Sequence, residues 1–251
     1  MCKIFDTHSH YDDEKFDLIR DEILSDLPAK NVGKIITCGV NKASSYKARE
    51  LSKKYDYIYF AAGIHPENIC DGTDTEFLSE LLNDKKCVAL GEIGLDYHYE
   101  KDSAQIQKKI FEDQLIIAKS FSKPVIIHDR DAHKDTLDLI LKHRPKGVLH
   151  CFSGSLESAK IILDTGLYIG IGGVITFKNS KKLPEIVAEI PLDRILLETD
   201  CPYLAPEPFR GRICTSDMIK YTARKIAEIK NISYDKLLKI TFENAMKLFL
   251  N

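Results

Sequence analysis

The sequence predicts an α/β fold of the (β/α)₈ TIM-barrel type, and three observations point there. The chain has 251 residues, close to the roughly 250 that such a barrel takes. Short apolar runs alternate with helix-period patterns along its whole length. Several runs, such as Ile35-Ile36-Thr37-Cys38 and Val125-Ile126-Ile127, are almost continuously apolar, as parallel strands covered on both faces must be. A doubly wound open sheet is the alternative, but no Gly-x-Gly-x-x-Gly follows the first strand. No Pro/Ser/Gly-rich linker or charge block marks a second domain, so residues 1–251 read as one.

In chain order, strands are expected over residues 3–10, 34–40, 58–64, 87–93, 124–128, 147–152, 168–172 and 195–199. A helix over 14–30 would set Phe16, Ile19, Ile23, Leu24 and Leu27 on one face. A second, over 103–122, would do the same with Ile106, Ile110, Leu115, Ile117 and Phe121. Further helices are expected over 43–55, 75–83, 133–143, 155–165 and 181–190, with 216–230 and 234–250 closing the chain.

Composition narrows the function. Lys plus Arg number 36 and Asp plus Glu 38, a net charge of −2. That balance argues against a grip on nucleic acid spread over the whole surface, while leaving room for a local basic pocket. No apolar run approaches the roughly 18 residues of a membrane span, and the N-terminus lacks a signal-peptide pattern. A cytoplasmic protein is the expectation, and no obligate protein partner is evident. The cysteines are odd in number, seven, and form no Cys-x-x-Cys pair, which argues against a disulfide framework or a thiolate zinc site. Cys38, Cys87 and Cys151 lie in apolar runs and read as buried thiols.

The polar residues at the ends of the strands carry the chemistry. Strand one ends in His8 and His10, strand three runs into His65, and strand four ends in Glu92. Strand five ends in His128-Asp129-Arg130, strand six in His150, and strand eight in Asp200. In a (β/α)₈ barrel the C-terminal strand ends form the floor of the active site, and scattered structural histidines have no reason to collect there. His8, His10, Glu92, His128, His150 and Asp200 exceed what one tetrahedral ion takes. Two divalent ions bridged by a carboxylate would use them all. Glu92, central in strand order, is the natural bridge, with His8, His10 and Asp200 on one side and His128 and His150 on the other. Asp6 is open between a ligand and a supporting role, and His65 between a ligand's neighbour and a substrate contact. His98, His133 and His143 fall in loop or helix patterns and read as solvated.

Several runs of the chain carry a resemblance. They are Asp6-Thr7-His8-Ser9-His10, Gly91-Glu92-Ile93-Gly94-Leu95-Asp96, Pro124-Val125-Ile126-Ile127-His128-Asp129-Arg130, His150-Cys151-Phe152-Ser153-Gly154 and Glu198-Thr199-Asp200-Cys201-Pro202-Tyr203-Leu204. Together they resemble the TatD family of metal-dependent hydrolases, amidohydrolase-like barrels that act as deoxyribonucleases, several of them 3′→5′ exonucleases. The resemblance implies the same six metal ligands that the strand ends give. One run departs from the family's Arg-Gly-Lys-x-Asn-x-Pro: here it is Arg210-Gly211-Arg212-Ile213-Cys214-Thr215-Ser216. Cys214 lacks the amide's strong donor and acceptor.

The expected reaction is hydrolysis of a phosphodiester in DNA, with RNA the other candidate polynucleotide. Metal ions make the nucleophile near neutral pH and hold the developing charge. Asp200 is expected to orient the attacking water or take its proton. Arg130, with Arg210 or Arg212, is expected to grip phosphate oxygens. Tyr97, Tyr99, Phe152 and Tyr203 follow strand ends, where stacking on bases and packing over the barrel mouth are equal readings. Four imidazoles suit Zn²⁺, Mn²⁺ or Ni²⁺ better than Mg²⁺, whereas the resemblance implies Mg²⁺. Two other functions stay open: a related hydrolase cleaving a C–N or lactone bond, and a non-catalytic metal-binding protein.

Overall fold

Strands and helices alternate throughout the computed structural model, which describes residues 3–70, 72–98 and 103–251. The strands are β1 (Ile4–Ser9), β2 (Val32–Cys38), β3 (Ile58–Ala62), β4 (Cys87–Asp96), β5 (Val125–Arg130), β6 (Gly147–Leu149), β7 (Tyr168–Ile171) and β8 (Ile195–Leu197). The α-helices are α1 (Arg20–Asp26), α2 (Lys42–Lys54), α3 (Phe77–Leu82), α4 (Ala104–Ser120), α5 (His133–His143), α6 (Leu156–Asp164), α7 (Lys182–Glu189), α8 (Ile219–Ile229) and α9 (Tyr234–Phe249). The strands pair in parallel in the order β1 to β8. β8 returns to β1 through a bridge between Ser9 and Cys201 and a bond from the Asp200 N–H to the His8 carbonyl, 2.9 Å. The expected barrel is the observed one, nearly closed.

Local chemistry sets several helix starts. The side chains of Asn41, Ser155 and Ser233 accept bonds from the N–H groups of Ser44, Ser158 and Lys236, capping α2, α6 and α9. The expected helix over 14–30 breaks in two. Asp13 caps a short 3₁₀ turn, Glu14–Phe16, and α1 starts only at Arg20. The Arg20 guanidinium binds back to the Tyr11 and Asp13 carbonyls and the Asp17 carboxylate, holding the turn between them. The helix expected over 216–230 likewise opens with a 3₁₀ turn, Ser216–Met218.

Two cores result from strand alternation. One lies between sheet and helices and takes Ile35, Phe60, Leu90, Ile127, Leu149 and Ile169, among others. The other takes Phe5, Ile36, Ala61, Ala89, Ile126, Val148, Tyr168 and Leu196, one from each strand. Residues of α9 join this inner cluster, with the Phe242 ring centroid 5.7 Å from that of Phe5. The C-terminal helix therefore plugs the barrel end opposite the strand termini.

Above the inner cluster, Asp200, three residues past β8 with φ 65°, keeps the parity of Leu196. Alternation carries Ile126 to His128 and Val148 to His150. In β1 and β4 it does not: Phe5 and Ala89 face inward, yet so do His8, His10 and Glu92. Pairing shifts register between Asp6 and Ser9 in β1, and between Leu90 and Ile93 in β4. Such irregularities re-aim side chains near active sites. Here they turn the histidine pair and the glutamate onto the floor.

Candidate metal centre

The first donor group joins four side chains from three strand ends. His8 Nε2 lies 3.0 Å from His10 Nε2, 3.3 Å from Glu92 Oε2 and 3.5 Å from Asp200 Oδ1. His10 Nε2 lies 3.4 Å from the same Glu92 oxygen and 3.3 Å from the same Asp200 oxygen. A tetrahedral site with bonds of 2.0–2.1 Å has ligand–ligand edges of about 3.3–3.4 Å. These five edges fit an ion with two nitrogen and two oxygen ligands.

The other oxygen of Glu92 serves a second group. Glu92 Oε1 is 2.9 Å from His128 Nδ1 and 2.7 Å from His150 Nε2, and those two nitrogens are 3.2 Å apart. The His8 and His150 rings stack with centroids 3.9 Å apart, so the two groups are contiguous. All six residues singled out from the strand ends meet on one floor, where they could hold metal ions.

His8, His10 and His128 each have one nitrogen turned inward and the other supported from outside, the arrangement that aims a ligating ring. His10 Nδ1 bonds the Cys38 carbonyl at 2.9 Å, and His8 Nδ1 faces the Cys38 sulfur at 3.6 Å. His128 is supported by Asp96, whose Oδ2 is 3.0 Å from its Nε2. Behind His150 stands Glu198, with Oε1 3.9 Å from Nδ1. Glu198 accepts the Cys151 N–H, but its Oε2 and His150 Nδ1 are buried without partners. A Cβ at Gly170 would sit 2.2 Å from that oxygen, so only glycine leaves the carboxyl its place. Neither Glu198 nor Asp96 declares this supporting role in the sequence alone. The available signal was parity: Glu198 lies on the same side of its strand as Leu196 and Asp200.

The electrostatics reflect crowded carboxylates. Burial opposes ionisation of Glu92, but the imidazoles of His150, His65 and His8 outweigh it and hold its carboxyl well below the usual range. Burial lowers His8 to about 4. His10 lies well above the usual imidazole value and His128 is raised to about 10, since against burial they gain Asp200 with Glu92 and Asp96 with Glu92, respectively. Burial lifts Glu198 to about 8. Against burial, Glu92 and Glu198 raise His150 as well, so protons on these imidazoles offset negative charge that a divalent ion would neutralise.

His65 stands at the edge, its Nε2 3.5 Å from Glu92 Oε1. Its Nδ1 accepts the Glu67 N–H at 3.2 Å, so the proton of the neutral ring is on Nε2, facing the floor. Asp6 faces away from the donors. It is fully buried, and its carboxylate accepts bonds from Thr199 Oγ1 at 2.7 Å, Ser216 Oγ at 2.6 Å and the Thr199 N–H at 3.1 Å. Its role is to fasten β1 to the chain after β8. Ser216, where the family pattern has proline, completes that network and also bonds Tyr11. Cys214 is buried beneath the same loop.

The floor opens into a cavity of about 980 Å³ that Arg130, His65, Phe152 and Tyr203 help to line. Arg210 and Arg212 do not line it. Arg210 lies 3.8 Å over the Phe177 ring and donates to the Ala205 carbonyl, while Arg212 packs beside Phe209. Tyr97 bonds Asp135 instead of facing the cavity, and Tyr99 lies outside the described residues. His98, His133 and His143 bond Asp131, Asp129 and Glu112 away from the floor. Cys38 and Cys87 are buried and Cys151 partly so, with all three thiols free. No helix of the described residues is long and apolar enough to cross a membrane.

Comparison with known proteins agrees with this architecture. The family model described as TatD related DNase matches residues 5–250. The metal-dependent hydrolase YabD of Bacillus subtilis is 41% identical over 251 residues, covering 98% of each chain. YcfH of Escherichia coli K12, also a metal-dependent hydrolase, is 35% identical, covering 98% of this chain and 95% of its own. The crystal structure of YjjV, a TatD homologue from Escherichia coli K12, superposes with a TM-score of 0.92 at 31% identity, covering 99% and 98% of the two chains. With one family model spanning the barrel and relatives matching end to end, the chain belongs to the TatD family of metal-dependent hydrolases.

Proposed function

We propose that the protein is a divalent-metal-dependent phosphodiesterase that degrades DNA, removing nucleotides from a 3′ end. One observation carries the reading: the two oxygens of Glu92 are divided between adjacent donor groups, the arrangement that lets one carboxylate bridge two ions. His8, His10, Glu92 and Asp200 would hold one ion, and Glu92, His128 and His150 the other. The imidazole-rich set favours Zn²⁺, Mn²⁺ or Ni²⁺ in the first group, with Mg²⁺ suited to an exchangeable second position. Bound there, such ions supply a nucleophile at neutral pH and charge to offset that of the phosphoryl group.

The chain's own residues do the rest. The Asp200 side chain is 20% exposed, so its carboxylate borders the cavity and can receive the proton of the attacking water. Arg130 meets the non-bridging phosphate oxygens as a planar fork. His65 presents Nε2–H to the leaving oxygen. That N–H holds the charge growing on the leaving oxygen as the P–O bond breaks. Solvent supplies the proton the alkoxide takes, because burial lowers His65 to about 3 and its neutral ring has no second proton to give. A Glu bridge instead of a modified lysine, and an arginine at the mouth, favour phosphate over a cyclic amide or lactone.

The test is digestion of end-labelled single- and double-stranded oligonucleotides across a metal titration, with Glu92→Ala as control. Stepwise release of 3′ nucleotides that needs metal and Glu92 is expected. Cleavage of a cyclic amide or lactone with inert DNA would sink the reading. Full metal loading with no hydrolysis of either substrate class would leave a metal-binding protein.

A further inference from the structure

The segment from β7 to α7 adds a second chemistry to the cavity. Asn179, Ser180, Lys181 and Lys182 line it together with Glu92 and Asp200. Both lysines are exposed, and no carboxylate of the described residues pairs with either ammonium. The segment is braced: Arg210 stacks on Phe177, and the Glu207 N–H donates to Thr176 Oγ1 at 2.9 Å. Below the lysines, Leu183 and Ile186 of α7 form an apolar wall with Val174 and Phe152. Asp13, Glu67 and Asp129 also line the cavity and would repel a polyanion. Among the described lining residues, the lysine pair and Arg130 are the Lys and Arg side chains, so an anionic chain anchored at the metal centre has a favourable path along the lysines.

Resting on the phosphodiesterase reading, we propose that Lys181 and Lys182 form a subsite for a second phosphate of a single-stranded polynucleotide. The adjoining base lies on the wall of Phe152, Val174 and Leu183. The subsite makes the enzyme one for chains of several phosphates rather than for isolated diesters. Ammonium–phosphate contacts of this kind release counterions and carry a salt dependence of about 0.7 per contact on single strands.

The experiment compares metal-reconstituted wild type with Lys181→Ala/Lys182→Ala and Lys181→Arg/Lys182→Arg. The substrates are bis(p-nitrophenyl) phosphate and a single-stranded oligonucleotide in deoxy and ribo forms. The alanine pair should raise KM for the oligonucleotide about tenfold with kcat little changed. It should also lower the slope of log KM against log salt by about 1.4. The single-phosphate diester should be far less affected, and the arginine pair should restore the wild-type KM and salt slope. An unchanged oligonucleotide KM, or equal losses on both substrates, overturns the subsite and leaves the phosphodiesterase reading intact. A wild type inert towards both substrates overturns the reading and the subsite with it.

Discussion

Asp96 Oδ2 and His128 Nε2 lie 3.0 Å apart, on the side of the ring away from Glu92. That contact selects the ring nitrogen that faces the floor: unusually among these histidines it is Nδ1, not Nε2. Asp96→Asn should therefore weaken occupancy of the second donor group by about 10–100-fold while sparing the first. Metal titration by calorimetry checks this, and loss of both ions together would show that Asp96 supports the whole floor.

Asp200 and Glu92 should separate on mutation. Asp200→Asn keeps an oxygen for binding but removes the base, so turnover should fall about 10²–10⁴-fold with metal content nearly unchanged. Glu92→Gln should lose metal from both groups, because each uses one of its oxygens. Elemental analysis beside kinetics separates the two outcomes. Wild-type turnover in Asp200→Asn would remove Asp200 from the mechanism.

Loading should release protons. Without metal, His10 stays charged well above the usual imidazole range and His128 up to about 10. Both inward nitrogens must be free to ligate, so affinity should rise with pH through neutrality. At least two protons should leave per molecule loaded at pH 7, with His150, also raised, adding to them. Calorimetry in buffers of different ionisation enthalpy counts them, and buffer-independent heats would refute the expectation.

Glu198 gives a pH signature to the metal-free protein. Its carboxyl titrates at about 8 when folded against a reference of 4.5, so the native state binds the extra proton between those values. Its contribution to stability is greatest below about 4.5 and falls as pH rises through 8. Glu198→Gln should flatten the pH dependence of urea midpoints between pH 5 and 8. A variant profile parallel to wild type would count against it.

The legible parts of the site are those where simple alternation holds. Ile126 to His128, Val148 to His150 and Leu196 to Asp200 keep one parity, so sequence places those donors correctly on the inner face. For β1 and β4 the donors meet because pairing slips by a residue, and that depends on neighbouring strands, not on either strand's own pattern. The same limit explains Arg210 and Arg212: they fit a family-like run, but their guanidinium groups pack on Phe177 and Phe209 instead of lining the cavity. A lysine pair at a helix start, such as Lys181 and Lys182, is ordinary in sequence until a cavity opens beside it. Asp6 was undecided from sequence, since only the returning chain after β8 supplies Thr199 and Ser216.

The barrel is joined most thinly where its last strand meets its first. Between β1 and β8 the described residues show one isolated bridge, a few backbone bonds, a bond from Thr7 Oγ1 to the Leu197 carbonyl and the Asp6 clasp. His8 and His10 stand on one bank of that joint and Asp200 on the other, so a cation gripped by all three would act as a rivet across it. Chelation should then accelerate amide hydrogen exchange in β1 and around Thr199–Cys201 ahead of β5 and β6, linking the cofactor that serves chemistry to the mechanical closure of the cylinder.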